Sequence, residues 1–142
     1  MSAYLDASAL VATLVREPGS VAIDAFLEQY DGTIGVSDLA AAEVASALSR
    51  LVRTRLIAQE DAEARLSDFD TWRSIRTETI DIEPSDARLA NTYVRRFDLM
   101  LRAPDALHAA ICRRLDLTLV TLDQRLAKAA RELGIDARVP AG

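Results

Sequence analysis

Met1-Ser2-Ala3-Tyr4-Leu5-Asp6-Ala7-Ser8-Ala9-Leu10 is the stretch on which the fold turns. Tyr4 and Leu5 read as the end of a short buried strand, and Leu10, Val11, Leu14 and Val15 then keep a helical period. Asp6 stands at the changeover. In an open parallel sheet, ligands bind in the crevice beyond the carboxyl ends of the strands, so this acid occupies a position where chemistry is usually placed. A carboxylate there is costly to bury unless it is paired, hydrogen-bonded or bound to a cation. The plainer alternative is that Asp6 caps the helix that follows.

Outward from that point, the chain alternates. Glu17-Pro18-Gly19-Ser20 breaks the first helix, and Ser20 can cap a second, whose buried face is Ile23, Phe26, Leu27 and Tyr30. Asp31-Gly32 turns into a strand over residues 33–36, and Ser37 can cap a helix running from 38 to about 55. Residues 59–76 read as a helix forming an antiparallel hairpin with its predecessor. Residues 77–82 alternate as a third strand, and Pro84 stops it. Leu89, Ala90, Tyr93, Val94 and Phe97 mark the next helix, and Pro104 opens another through Leu107, Ile111 and Leu115. The apolar run 117–122 suits a strand covered on both faces. A helix over 124–133, a stop at Gly134 and a last strand over 135–139 complete the chain. Strands alternating with helices predict an α/β fold, a mostly parallel sheet with helices on both faces.

Four acids stand out by position: Asp6, Glu43, Asp105 and Asp123. Glu43 has small neighbours one turn away (Ala40, Ser46, Ala47), which leave a carboxylate room to reach inward. Asp105 follows Pro104 in the first turn of its helix, and Asp123 ends the fourth strand in Val120-Thr121-Leu122-Asp123. Each has a plain alternative: Asp105 and Asp123 as favourable charges at helix N-termini, Glu43 as an exposed side chain. Jointly, two acids at strand ends and two at the starts of neighbouring helices would converge in one crevice. Such oxygen ligands suit Mg²⁺ or Mn²⁺, and the natural chemistry is metal-assisted hydrolysis of a phosphodiester.

The stretches Tyr4-Leu5-Asp6-Ala7-Ser8-Ala9-Leu10, Ala42-Glu43-Val44, Pro104-Asp105-Ala106-Leu107-His108-Ala109-Ala110 and Thr121-Leu122-Asp123-Gln124-Arg125-Leu126 resemble, in order, the four acidic motifs of PIN-domain nucleases. The likeness is nearest to the VapC-type ribonuclease toxins of bacterial toxin–antitoxin pairs, and it runs from Tyr4 to about Val139. It implies a three-layer α/β/α fold whose five-stranded sheet has the order 3-2-1-4-5. It also implies a metal-dependent endoribonuclease that cuts single-stranded or structured RNA, such as tRNA or rRNA, is held by a cognate antitoxin protein, and forms a homodimer. Asp6, Glu43, Asp105 and Asp123 would be its metal-binding, catalytic acids, with Mg²⁺ or Mn²⁺ as cofactor. Ser8 and Thr121 match the hydroxyl positions that order the site. The alternatives are a PIN-fold binding module, or an RNA-processing nuclease without a toxin role.

At 142 residues the chain is expected to form one domain, residues 1–142, with a real core. No apolar stretch of membrane-spanning length occurs, and the N-terminus lacks the pattern of a secretory signal, so a cytoplasmic protein is expected. Cys112, the one cysteine, lies in an apolar helical stretch and reads as a small buried hydrophobe. A net charge of −5 argues against nucleic-acid binding by bulk positive charge, although the four acids carry most of it and two divalent cations would neutralise them. Lys128 is the only lysine. The arginine bias suits phosphate contact, and a GC-rich genome produces the same bias.

The single histidine, His108, excludes a two-histidine acid–base ribonuclease. It lies one turn after Asp105 and is expected to pack or hydrogen-bond locally. Trp72, Phe69, Leu66 and Ile75 should pack the helical hairpin, and the apolar surplus of Leu51, Val52, Leu56 and Ile57 suits a dimer or antitoxin surface. The pairs Arg95–Arg96 and Arg113–Arg114 read as solvated faces. A haloacid-dehalogenase-type phosphatase needs a second aspartate where Ser8 stands. A response-regulator receiver needs adjacent acids near the first strand and a lysine late in the sheet, and neither is present.

Overall fold

The computed structural model describes residues 2–141. Its five strands are β1 (Ser2–Leu5), β2 (Thr33–Ser37), β3 (Glu78–Ile80), β4 (Thr118–Val120) and β5 (Ala137–Arg138). They form one sheet in the order β3-β2-β1-β4-β5, and every pairing is parallel. The helices are α1 (Ala7–Leu14), α2 (Ser20–Gln29), α3 (Asp38–Arg53), α4 (Gln59–Arg76), α5 (Pro84–Val94), α6 (Ala103–Leu115) and α7 (Gln124–Glu132), with a 3₁₀ turn at Phe97–Leu99. The expected α/β class and the strand order 3-2-1-4-5 are both found.

Alternation along β1 divides the core. Ala3 and Leu5 face a cluster supplied by α1 to α4, including Leu10, Ile23, Val44 and Phe69. Tyr4 faces the opposite cluster, supplied by α5 to α7, including Tyr93, Ile111 and Leu126. A two-residue period is what puts neighbours on opposite faces of a pleated strand. All three side chains are fully buried. The chain winds outward from β1 in both directions, so the switch point lies between β1 and β4, where the connections diverge to opposite sides of the sheet.

Several element ends differ from expectation. The fourth strand closes at Val120 rather than 122, because the Thr121 and Asp123 side chains are taken up in polar contacts at the sheet's mouth. The third strand is limited to Glu78–Ile80: the Thr77 N–H still caps α4 through Arg73 O, and Glu83 already begins the capping box of α5. The last strand covers only Ala137–Arg138, and α3 stops at Arg53, with Arg55 in the left-handed region at φ 60°. Ser20 does not cap α2 with its side chain; its hydroxyl accepts from Glu17 N and donates to Val15 O, stitching the turn before the helix. Phe97 lies outside α5 and is 83% exposed, and Ile75 is 73% exposed rather than packed in the hairpin. Phe69 and Trp72 do stack, with ring centroids 6.2 Å apart. Cys112 is buried as expected. Among the described residues no helix is long and apolar enough to cross a membrane.

Arg114 departs from the solvated face expected of it. Its guanidinium grips the Asp86 carboxylate at 2.8 and 2.9 Å and donates to Asp81 O, joining α5, α6 and the exit of β3. Asp86 is 1% exposed. Burial alone would raise its carboxyl, yet the bonds from Arg114 and from Glu83 N outweigh that and hold it below the usual range.

Candidate active site

Asp6 leaves β1 with an extended backbone, and its N–H donates to Val120 O at 3.2 Å. The side chain is 5% exposed. Oδ1 accepts from Ala9 N at 3.1 Å and from the Ser8 hydroxyl at 2.7 Å, and Oδ2 accepts from the Thr121 hydroxyl at 2.6 Å. Both sequence readings of Asp6 therefore hold: it caps α1, and it is a buried acid at the switch point. Each hydroxyl spends its only proton on the carboxylate, so the 3.1 Å approach of Ser8 Oγ to Thr121 Oγ1 is a contact rather than a bond. The same oxygens accept from Leu122 N and Asp123 N, at 3.0 Å each, and so tie the β4–α7 connection to the site. Burial pushes the Asp6 carboxyl upward against these three donors, all of them neutral.

Glu43 sits on α3 with its side chain 32% exposed. Its Oε1 lies 2.5 Å from His108 Nε2, on α6. His108 is 2% exposed, and its Nδ1 lies 2.5 Å from the Tyr4 hydroxyl. That hydroxyl is 2.7 Å from Ser37 Oγ, which accepts from Ala40 N and so caps α3. A continuous polar chain thus crosses from the start of α3 through β1 and α6 and back to Glu43. Burial holds the Tyr4 phenol far above its ordinary range, so it stays protonated.

Asp105 is in the first turn of α6. Burial raises its carboxyl, and the charge of Asp123 raises it further, so these two acids stand within electrostatic reach of each other. Asp123 does not end a strand; it lies beyond β4 as the N-cap of α7, accepting from Arg125 N at 3.0 Å and Leu126 N at 3.2 Å.

The structure thus brings Asp6 together with Ser8 and Thr121, puts Asp105 within the electrostatic reach of Asp123, and joins Glu43 to His108. No three of the described histidines, cysteines and acids are drawn close enough to grip a metal ion between them. The donor set is nevertheless that of a hard dication: carboxylate oxygens, two of them on acids raised by burial. Among the described residues none of Asp6, Asp105 and Asp123 is ion-paired with an arginine or lysine. Asp6, Glu43, Asp105 and Asp123 could therefore hold a divalent cation by charge and donor chemistry.

The sequence reading missed the joint role of Tyr4, Ser37 and His108. The available signal was His108 one turn from Asp105 on the same helix, but nothing in the sequence ties it to Glu43, 65 positions away. A shallow groove lined by Glu43, Ser46, Ala47, Arg50 and Arg53 runs along α3 from Glu43.

A family model of the PIN domain matches residues 3–132. Comparison with curated proteins by sequence found no match. Among solved structures, VapBC2 from Rickettsia felis, bound to a DNA fragment from its promoter, aligns with a TM-score of 0.70 at 20% identity, covering 97% of this chain and 98% of that one. Mycobacterium tuberculosis VapC20, a sarcin-ricin loop cleaving toxin, gives 0.72 at 14% identity over 91% of this chain and 95% of its own. FitAcB from Neisseria gonorrhoeae gives 0.66 at 18% identity over 99% and 98%. At these identities the likeness is one of fold.

Proposed function

This chain belongs to the PIN domain family, and from that footing we propose that it is a metal-dependent endoribonuclease, the toxin of a bacterial toxin–antitoxin pair. The observation that carries the reading is Asp6: a buried carboxylate at the switch point, clamped by two hydroxyls and one backbone N–H, with no basic partner among the described residues. Burial opposes the charge of a purely structural cap, whereas a bound dication would offset it. The fold likeness to VapC20, a sarcin-ricin loop cleaving toxin, supports the substrate class, and the likeness to VapBC complexes supports an antitoxin protein as partner.

Asp6, Glu43 and Asp105 would hold Mg²⁺ or Mn²⁺, with Asp123 on a second ion or an outer-shell water. When bound, such an ion lowers the pKa of a water for in-line attack on phosphorus and offsets charge on the phosphoryl oxygens. Ser8 and Thr121 keep the Asp6 carboxylate in one orientation. Asp123 holds the start of α7 and adds negative charge beside Asp105. Arg50 and Arg53, on the exposed face of α3 beyond Glu43, offer cations to the phosphates of an RNA strand entering along that groove. The protein acts in the cytoplasm as a homodimer until its antitoxin engages it.

The test is cleavage of a structured RNA by the purified protein with Mn²⁺ or Mg²⁺, with chelator, and as the Asp6→Asn variant. We expect cleavage with metal only, and a fall of at least 100-fold on substitution with the folded state retained. Growth arrest on induction should disappear with the same substitution. Undiminished cleavage by Asp6→Asn removes this residue from the mechanism, and no cleavage of any RNA by the unsubstituted protein leaves a binding module as the better reading.

A further inference from the structure

The polar chain that ends on Glu43 has only one arrangement of protons that satisfies every member. A carboxylate oxygen accepts, so the proton of the 2.5 Å contact belongs to His108 Nε2, which donates to Glu43 Oε1. At the other ring nitrogen, Nδ1 is the one partner left for the Tyr4 proton, so it accepts. The Tyr4 oxygen in turn takes the Ser37 proton, and Ser37 Oγ takes the Ala40 N–H. Each hydroxyl donates once and accepts once. Reversing the chain would strand the Ser37 proton, because Ser37 Oγ would then accept from both Ala40 N and Tyr4. Tyr4 and Ser37 lie wholly within the core, where a stranded donor is expensive.

We propose that His108 is a positioning residue, held by Tyr4 and Ser37 with its proton on Nε2, which fixes Glu43 by occupying one carboxylate oxygen and leaving the other free for a cation. The inference rests on the reading of Glu43 as a metal-binding acid. The geometry explains why a glutamate on a partly exposed helix face needs help that Asp6 does not. Asp6 is fixed by its own loop through Ser8 and Ala9, whereas Glu43 has a longer side chain and, among the described residues, only His108 as a hydrogen-bond partner. The same bond links α3 to α6 and so couples Glu43 to the helix that carries Asp105. Ser37 serves both ends of the chain, since it caps the helix on which Glu43 sits.

The experiment uses Mn²⁺ titrated calorimetrically into the protein without RNA, with four variants. Glutamine can place its amide nitrogen where Nε2 stands, and asparagine can reach only the Nδ1 position. His108→Gln should therefore keep Mn²⁺ affinity within about threefold, while His108→Asn and His108→Leu should weaken it by about tenfold or more, the range usual for partners that orient a ligating carboxylate. Tyr4→Phe keeps the ring volume and cuts the chain at its middle. It should weaken Mn²⁺ binding and, in the metal-free protein, abolish the pure Nε2–H signature in imidazole ¹⁵N NMR. That signature reads the tautomer without any metal and guards against variants that fail to fold. Equal Mn²⁺ affinity for Leu, Asn and Gln variants overturns the inference while leaving the nuclease reading intact, as does an Nδ1–H tautomer in the unsubstituted protein. No Mn²⁺ binding by the unsubstituted protein overturns the site reading and the inference with it.

Discussion

Replacing Asp6 by asparagine separates chemistry from stability at a single residue. The carboxylate is buried among neutral donors, and burial raises its pKa, so its charge strains the metal-free fold. Asp6→Asn should therefore stabilise the metal-free protein by about 1 kcal/mol, which raises its melting temperature by roughly 3 °C for a chain of this size, while abolishing cleavage. Thermal denaturation in chelator reads the first effect. Thr121→Val has the opposite sign. It removes the hydroxyl that donates to Asp6 and accepts from Asp123 N, so it should cost about 1–2 kcal/mol and also lower activity. A Thr121→Val protein as stable as the unsubstituted one in urea would show that this hydroxyl is dispensable. At this scale the residue types were readable from sequence and their partners were not: Ser8 lies two positions from Asp6, but Thr121 lies 115 away.

The packing of α5 against α6 and β3 depends on Arg114 and Asp86. Removing Arg114 leaves a buried carboxylate without its counter-charge, so Arg114→Leu should destabilise the fold by about 2–3 kcal/mol. Asp86 also sets a pH dependence. Its folded pKa lies below its unfolded one, so its contribution is full above the ordinary carboxylate value of about 4 and is lost as pH falls through the lowered value. Urea midpoints measured from pH 6 down to pH 2.5 should fall at the acid end, and Asp86→Asn should show a shallower fall from a lower starting stability. Pro104 and Gly134 announced their helix boundaries because their backbone constraints are local. The strand ends at 120 and 80 could not be read so closely. Thr121 and Ile82 suit a strand by type, and what stops the ladder is the polar contact at the sheet's mouth and the capping box at Glu83.

For the whole molecule, a ligand that binds only the folded state stabilises it by mass action. Mn²⁺ at about 100 times its dissociation constant should add about 2.7 kcal/mol to the unsubstituted protein and little to the Asp6→Asn variant. An equal shift in both would place the ion elsewhere, away from the sheet's mouth. The negative net charge makes the same point for substrate. RNA binding to so acidic a chain should be weak without the divalent ion and steeply reduced by salt, as a filter-binding series with and without Mg²⁺ would report.

Periodicity and breakers along the chain were enough for the α/β class, the helix-by-strand alternation and the positions of Asp6, Glu43 and Asp105 on their elements, because those properties depend on residues within a turn or two of one another, whereas Asp123 proved to cap α7 rather than end a strand. The motifs' likeness to a known family supplied the order of the strands. The likeness also named Thr121 among the site's hydroxyls, but folding alone supplied the closures across distance: the Thr121 hydroxyl on Asp6, the guanidinium of Arg114 on Asp86, and the run from Ser37 through Tyr4 and His108 to Glu43. Each joins groups that are far apart in the chain and adjacent only once the sheet has formed. Which buried polar group finds which partner is a property of packing in three dimensions, and local pattern carries no record of it.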